Sequence, residues 1–319
     1  MANLSYRASL KNTHVEEVID LLIHRPLGYV VARAAYPTPI TPDALTIVSM
    51  LLGVLAGAAL YASAFASASL QLYAGALLIA SAVVDCSDGQ LARMRQRSSR
   101  FGRMLDGTVD AIVQVAAVPA AGVHMVHRMG GLSNPTAALW AALGVLALIA
   151  GIRHTTLYDQ FKNVYVRNTE RAPKDCDDAE DVDAEWRCAE TNGAIGPWAR
   201  FNFYMYRTHL RLVAGTMRWI DPGIPARFRE MPPYAPARAA LYHRLNGRLM
   251  RAWSFFGIGT HIFTFAICVM LGREEWYIVL RLVGFNALLL VLVPFQRRAS
   301  RAFFAQARAH STEPMEQAA

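Results

Sequence analysis

Charged residues are scarce in this sequence. They make up 18% of its 319 residues, whereas 54% are hydrophobic, and a soluble domain usually carries about a quarter of its residues as charges. The stretch from Ala44 to Val84 contains no Asp, Glu, Lys or Arg. About 20 apolar residues cross the hydrocarbon core of a bilayer, so this stretch can cross it twice, with a turn at residues 62–67. The composition excludes an ordinary soluble protein and predicts an integral membrane protein.

Four later stretches are apolar over most of their length and are long enough to span a membrane. They are Leu105–Val126, Gly130–Ile152, Ala252–Gly272 and Trp276–Phe295. With the two crossings in residues 44–84, they predict an all-α fold, an integral membrane bundle of six transmembrane helices.

The N-terminal segment lacks the basic start and apolar core of a signal peptide, because it contains Glu16, Glu17 and Asp20. Thr13 followed by Glu16 predicts a capping box at the start of a helix. Apolar residues then recur at helical spacing, which predicts an interfacial amphipathic helix along the membrane surface. The alternative is an ordinary helix packed on the loops. The apolar positions are Val15, Val18, Ile19, Leu22, Leu27, Val30, Val31 and Ala34.

Cysteines are few, and their spacing does not predict a zinc site. Cys176 and Cys188 are far apart and have no third ligand nearby, whereas zinc sites use closely spaced Cys or His pairs. A cytoplasmic loop is a reducing environment, which also argues against a disulfide framework.

Basic residues lie mainly on one side of the predicted spans. The connections 85–110 and 153–251 and the C-terminal end are rich in arginine, whereas the opposite side has only Arg128 and Arg273. Under the positive-inside rule, both termini and the active site face the cytoplasm, and we expect a multi-pass protein of a bacterial inner membrane. This asymmetry and anionic lipid headgroups account for the net charge of +8. No nucleic-acid partner is expected, because no basic stripe carries interleaved aromatic residues.

The predicted organisation has five parts. They are a cytoplasmic N-terminal segment with the interfacial helix (1–40), a catalytic membrane core with spans 1–4 (41–152), a cytoplasmic insert (153–251), spans 5 and 6 (252–296) and a cytoplasmic tail (297–319). The sequence does not decide whether the insert shapes an acceptor pocket or binds a partner.

Four aspartates lie where the second predicted span ends and the third begins. Asp85 and Asp88 are three residues apart and Asp106 and Asp110 are four apart, so each pair lies on one helix face. Ionisable residues at membrane depth are costly and are therefore functional candidates. Clustered carboxylates repel one another, and hard divalent cations such as Mg²⁺ or Mn²⁺ relieve that repulsion. Pairing with nearby arginines would explain one aspartate, but four at these spacings favour a site in which two ions clamp a pyrophosphate.

This segment resembles the CDP-alcohol phosphotransferase (CDP-alcohol phosphatidyltransferase) family, which carries the pattern D-x2-D-G-x2-A-R-x8-G-x3-D-x3-D. The resemblance extends over about residues 37–152, and beyond them only through the number of spans. The specified positions are filled by Asp85, Asp88, Gly89, Ala92, Arg93, Gly102, Asp106 and Asp110.

The resemblance implies a role for each of these positions. Asp85, Asp88 and Asp106 would hold two divalent ions, Mg²⁺ or Mn²⁺, and Asp110 would lie at the metal site as the general base. Asp85 would also contact the nucleotide. Three small residues would line the CDP pocket, with one arginine near the phosphates; these are Gly89, Ala92, Gly102 and Arg93. The reaction would release CMP, and members of the family are often homodimers.

The entry to the first span is also similar to the family. Pro42-Asp43-Ala44-Leu45-Thr46 matches its Pro-Asn-x-x-Thr element except for Asp43, which stands where Asn is usual. Thr46 would contact the nucleotide or simply pack between helices. Thr41 is the expected N-cap of the span, with Pro42 at the first helical position.

The sequence leaves the substrates open. The favoured reaction transfers a phosphoalcohol group from CDP-diacylglycerol to an acceptor hydroxyl, in phospholipid biosynthesis. The alternative is a CDP-polar alcohol with a lipid or inositol-type acceptor. Arg97, Arg100 and Arg153 would bind an acceptor phosphate, or else they face lipid headgroups. An inactive membrane scaffold or a transporter is the non-enzymatic alternative, and the complete aspartate set argues against it.

Overall fold

We describe the fold from a computed structural model. It describes residues 5–10, 12–67, 69–96, 100–171 and 234–311 and isolated residues between 186 and 220; the side chains of residues 100–108 and 308–311 lie outside this description. All regular elements in the described residues are helical, which confirms the all-α prediction. The α-helices are α1 (Tyr6–Ser9), α2 (Arg25–Ala35), α3 (Pro42–Ser63), α4 (Leu70–Met94), α5 (Arg100–Arg128), α6 (Pro135–Thr169), α7 (Pro236–Trp253), α8 (Ile258–Met270), α9 (Glu274–Val279) and α10 (Asn286–Ser311).

Two π-helical segments continue directly into α-helices. Asp20–His24 leads into α2, and Leu280–Phe285 joins α9 to α10. Such segments are rare in proteins and often occur at functional sites.

The chain divides into two compact units. The first contains Met1–Ile152 and Ser254–Ala287, and the second contains Arg153–Trp253 and Leu288–Ala319. The four aspartates of the motif belong to the first unit.

Five helical segments are long and apolar enough to cross a membrane, and a sixth crossing results if a broken pair is counted as one span. The predicted number of six spans is therefore reached only if Pro236–Phe256 and Ile258–Met270 together count as one span. The five segments are Pro42–Ser63, Leu70–Met94, Val109–Arg128, Pro135–Thr169 and Glu274–Ala307.

The first span begins as the sequence predicts. The Thr41 hydroxyl accepts a hydrogen bond from the Ala44 N–H at 3.2 Å, and Pro42 occupies the first turn, where its missing N–H costs nothing. Helix α3 ends at Ser63, and the chain turns over residues 64–67 before α4 begins.

Small residues let the helices of the first unit approach closely. A Cβ added at Gly53 would overlap Val113 of α5, and one at Gly57 would lie 2.6 Å from the carbonyl oxygen of Ala116. Small residues at these contacts suit helix association in a bilayer, where apolar surface by itself gives no preference for a neighbouring helix over lipid.

The N-terminal segment corrects one prediction. Residues 13–15 form a turn, and helical residues resume only at Val18, so Thr13 does not cap the predicted helix. The acidic residues have long-range partners instead. Glu16 pairs with Arg25, and the Glu17 carboxylate accepts hydrogen bonds from the N–H groups of Gly259 and Thr260.

The polar residues of the segment 18–35 face inward. His24, Arg25 and Gly28 are buried, whereas Leu22 and Val30 are 70% and 65% exposed. An exposed apolar face is expected where a helix contacts lipid. Its position along the membrane surface stays a prediction.

The predicted fifth span, Ala252–Gly272, is not a continuous helix. A 3₁₀ turn at Ser254–Phe256 and an extended residue, Gly257, precede α8. A Cβ at Gly257 would overlap the Glu17 carboxylate. The carboxylate supplies acceptors for the N–H groups that a helix start leaves without partners, which stabilises the break.

The second unit has its own aromatic core. Phe161 stacks on Trp253 with ring centroids 4.3 Å apart. The Trp253 indole N–H donates to Gln296, and the Gln296 amide donates to Asn246, both at 3.0 Å. Of the predicted insert, the structure describes residues 153–171, 234–251 and isolated positions between them; Cys176 and Cys188 lie outside the described residues.

Candidate metal and substrate site

The aspartate motif lies on two helices of the first unit. Asp85 and Asp88 belong to the last turns of α4, and Asp110 belongs to α5. The backbone of Asp106 is also helical in α5, but its side chain lies outside the described residues. Both predicted aspartate pairs therefore lie on helices.

Asp85 and Asp110 line the same cavity. Its volume is about 50 Å³, and Ser49 and Ser81 are further polar lining residues. Carboxylate and hydroxyl oxygens are hard ligands of the kind that Mg²⁺ and Mn²⁺ prefer. The residues present therefore fit a divalent cation.

Asp88 is buried and is held by the first span. It accepts a hydrogen bond from the hydroxyl of Thr46, which is 3% exposed and whose oxygen also lies 3.2 Å from the carbonyl oxygen of Pro42. The Pro-Asp-x-x-Thr element therefore contacts the motif through Thr46 and Asp88.

Arg93 packs against the N-terminal segment. Its Nε donates to the carbonyl of Ser9 at 2.5 Å, and its guanidinium lies 3.3 Å from where a Cβ would stand on Gly89. A larger residue at position 89 would crowd the guanidinium. One guanidinium nitrogen, Nη2, has no partner within the described part of the chain.

The other predicted site residues are placed only in part. Ala92 is a half-buried residue of α4. Gly102 and Arg100 lie in α5 in the range whose side chains are not described, and Arg97 lies outside the described residues. Arg153 is an exposed residue of α6 in the second unit.

The N-terminal segment supplies site residues that sequence reasoning missed. Asp20 and His24 line the same cavity as Asp85 and Asp110. His24 is 1% exposed, and its Nδ1 lies 2.9 Å from Asp20 Oδ1. The available signal was an acidic residue and a histidine four positions apart within an otherwise apolar helix.

Hydrogen bonds fix this segment against α4. Arg25 donates to the carbonyl of Cys86, and the Gln90 amide donates to the carbonyl of Arg25 and to the Ser9 hydroxyl. The variable positions of the aspartate motif thus serve as anchors for the segment that carries Asp20 and His24.

Glu17 lies next to this cluster and is fully buried. Burial and the neighbouring Asp20 raise the pKa of Glu17 to about 8, although hydrogen bonds from Thr260 and Gly259 lower it. A carboxyl group in this environment resists ionisation, because an apolar surrounding disfavours its charged form.

Three polar residues lie within the last two predicted spans, namely His261, Arg281 and Asn286. His261 lies 3.3 Å from the Tyr277 hydroxyl, and the Arg281 guanidinium lies over the Tyr277 ring, 5.0 Å from its centroid. The Asn286 amide donates to the carbonyl of Leu282. These contacts join residues within the first unit.

Known proteins match the part of the chain that carries this site. Residues 39–171 match the model of a family described as CDP-alcohol phosphatidyltransferase. The "Bifunctional IPC transferase and DIPP synthase" of Aquifex aeolicus is 30% identical over 119 residues, which cover 36% of this chain and 26% of that protein. The "Archaetidylinositol phosphate synthase" of Pyrococcus horikoshii is 38% identical over 73 residues, which cover 23% of this chain and 36% of that protein.

The chain thus spans about a quarter to a third of the length of these curated relatives. The matched family range contains all four aspartates of the motif and the Thr46 contact to Asp88. Over residues 39–171, this chain is therefore similar to the CDP-alcohol phosphatidyltransferase family.

Proposed function

We propose that this chain is a membrane phosphotransferase. It moves a phosphoalcohol group from a CDP-linked donor to an acceptor hydroxyl and releases CMP. The observation that carries the proposal is that Asp85 of α4 and Asp110 of α5 line one cavity, as two motif carboxylates must if they act on the same substrate.

The chemistry follows from these residues. The acceptor oxygen attacks the phosphorus that carries the donor's alcohol, the bond from that phosphorus to the CMP phosphate oxygen breaks, and CMP leaves with the electron pair. Asp110 accepts the proton of the acceptor hydroxyl, as a positioned carboxylate can. Asp85 and Asp88, with Asp106, would hold the divalent metal that the family uses, and this metal would neutralise the pyrophosphate. Two ions are proposed, because one carboxylate pair comes from each helix.

The substrate assignment combines the sequence with the names of the relatives. We favour CDP-diacylglycerol as the donor, because the motif lies at the end of two spans and a lipid can reach it from the bilayer. The name of the Pyrococcus horikoshii relative contains inositol phosphate, so an inositol phosphate is the first acceptor to test. Arg93 Nη2 is available to a phosphate, and Arg97, Arg100 and Arg153 remain proposed acceptor contacts.

The membrane orientation is proposed from the arginines. The motif end carries Arg93 on α4, Arg95 directly after it, and Arg100 and Arg103 on α5, so this end and both termini face the cytoplasm under the positive-inside rule. A bacterial inner membrane and a homodimer are proposed on the resemblance alone.

The test is release of CMP by the purified chain with Mg²⁺ or Mn²⁺. CDP-diacylglycerol and CDP-linked polar alcohols are each offered with inositol phosphate, glycerol phosphate, serine and a lipid alcohol as acceptors. Metal-dependent release with CDP-diacylglycerol supports the favoured scheme, and release only with a CDP-polar alcohol replaces it by the alternative. No release with any pair, together with no binding of CDP, would leave the membrane scaffold as the better explanation.

A further inference from the structure

The cavity of the aspartate motif has a second set of ligand groups on its N-terminal side. A carboxylate oxygen of Asp20, a ring nitrogen of His24 and the thiol sulfur of Cys86 all lie within 4.8 Å of one another. All three residues line the cavity of about 50 Å³. They come from two different elements, the π-helical segment Asp20–His24 and α4.

His24 supplies an independent indication of a ligand. It is 1% exposed, and its Nε2 has no hydrogen-bond partner within the part of the chain that the structure describes. A buried polar atom without a partner is costly. The other ring nitrogen, Nδ1, lies 2.9 Å from Asp20 Oδ1.

The three groups are held in place. Arg25 donates to the Cys86 carbonyl at 3.3 Å, and a Cβ on Gly28 would lie 3.3 Å from Cys86 Cβ, so the N-terminal segment packs closely on this turn of α4. Around a tetrahedral zinc ion, nitrogen and sulfur ligands are separated by roughly 3.3–3.8 Å. The ligand atoms of Asp20, His24 and Cys86, which lie within 4.8 Å of one another, therefore need only small side-chain movements to reach these separations.

We propose that Asp20, His24 and Cys86 form a binding site for a divalent transition-metal ion of the zinc class. Imidazole and thiolate are softer ligands than the carboxylates of the motif, so this set selects Zn²⁺ or Co²⁺ over Mg²⁺. The ion lies in the same cavity as Asp85 and Asp110 but on the side of the N-terminal segment. The proposal does not depend on the transferase reaction.

Cobalt is a suitable probe, because a Co²⁺–thiolate bond gives a charge-transfer absorption that carboxylate ligands do not give. The full chain in detergent is stripped of metal and titrated with Co²⁺ in excess Mg²⁺. We expect one equivalent to bind with the thiolate band and Zn²⁺ to displace it. Cys86→Ser loses the band, and His24→Gln weakens Co²⁺ binding by about tenfold or more. Cys268→Ser is the matched control, because Cys268 is also a free cysteine, on α8, and this variant keeps the band.

A second measurement uses the unchanged protein. Zn²⁺ is expected to abolish maleimide labelling of Cys86 and to leave labelling of Cys268 unaltered, as read by peptide mass spectrometry. Absence of the thiolate band in the unchanged protein, a band that persists in Cys86→Ser, or labelling of Cys86 that ignores Zn²⁺ would each overturn the proposal. Release of CMP with Mg²⁺ in the absence of zinc tests the transferase function separately. The proposed transition-metal site and the proposed transferase function can therefore be refuted independently of each other.

Discussion

The two ends of the span Val109–Arg128, within α5, place ionisable side chains in different settings. At one end Asp110 lines a cavity with Asp85, Asp20 and His24. His124 follows Asp110 by 14 residues, which is about 21 Å along a helix. There, His124 lies 2.6 Å from Glu274, and both side chains are buried.

At this far end arginine side chains lie beside the carboxylates. Arg128 pairs with Glu274 and Glu275, and Arg273 lies 3.5 Å from Glu275. These pairs join α5 to α9, so they fix the helices. At the motif end the carboxylates surround a space that a ligand can occupy. The comparison teaches that ionisable side chains in this bundle join helices at one end and line a cavity at the other.

The largest expected effect of a substitution is on catalysis at the motif end. Asp110→Asn removes the proposed proton acceptor and should lower CMP release by about 10²- to 10⁴-fold. The melting temperature in detergent should change little, because the amide is isosteric. If the variant keeps its activity within a few-fold of the unchanged protein, Asp110 is not the base. The proposed difference between the motif end and the end with His124 and Glu274 would then be weakened.

At the far end the same kind of substitution should act on stability. Glu274→Gln removes the carboxylate that lies beside His124 and Arg128, which should lower the free energy of unfolding by about 1–3 kcal/mol. A double-mutant cycle with His124→Gln should show that the two effects are not additive. CMP release per folded molecule should be retained. Additive effects would mean that the pair contributes no coupling energy.

A smaller effect is expected where α3 supports the motif. Thr46→Val keeps the shape of the side chain but removes the hydrogen bond to Asp88, and it should lower kcat/KM by about tenfold. Thr46→Ser retains the donor and should restore most of the activity. If Thr46→Val and Thr46→Ser have the same kcat/KM, the hydrogen bond from the hydroxyl to Asp88 does not contribute to catalysis.

The last expected effect concerns pH and Glu17. The pKa of this group is raised from 4.5 to about 8, so the folded protein keeps a proton that the unfolded chain releases between these values. The stability it contributes is fully present below the unfolded pKa and is lost as pH rises through the folded one. The melting temperature should therefore fall between about pH 5 and about pH 8. Glu17→Gln cannot titrate, so its melting temperature should depend less on pH. If the melting temperatures of the variant and of the unchanged protein fall equally with pH, another group causes the dependence.

Local sequence patterns predicted much of the fold. The charge-free stretch of residues 44–84 contains both predicted spans, and Thr41 caps α3 as expected. The break before α8 was not predictable, because Gly257 lies in an apolar run that reads as a continuous span. A carboxylate 240 residues away in sequence, that of Glu17, stabilises the break, and no local pattern contains that contact.

The sequence by itself determined the membrane character, the helical class and the aspartate motif, because composition and helical spacing are local properties. It also placed Asp85 with Asp88 and Asp106 with Asp110, since residues three or four apart share a helix face. Only the tertiary structure decided that Asp85 and Asp110 line one cavity, that Thr46 contacts Asp88, and that Asp20 and His24 lie beside Cys86. These neighbours are far apart in the chain and meet only because α2, α3, α4 and α5 pack together.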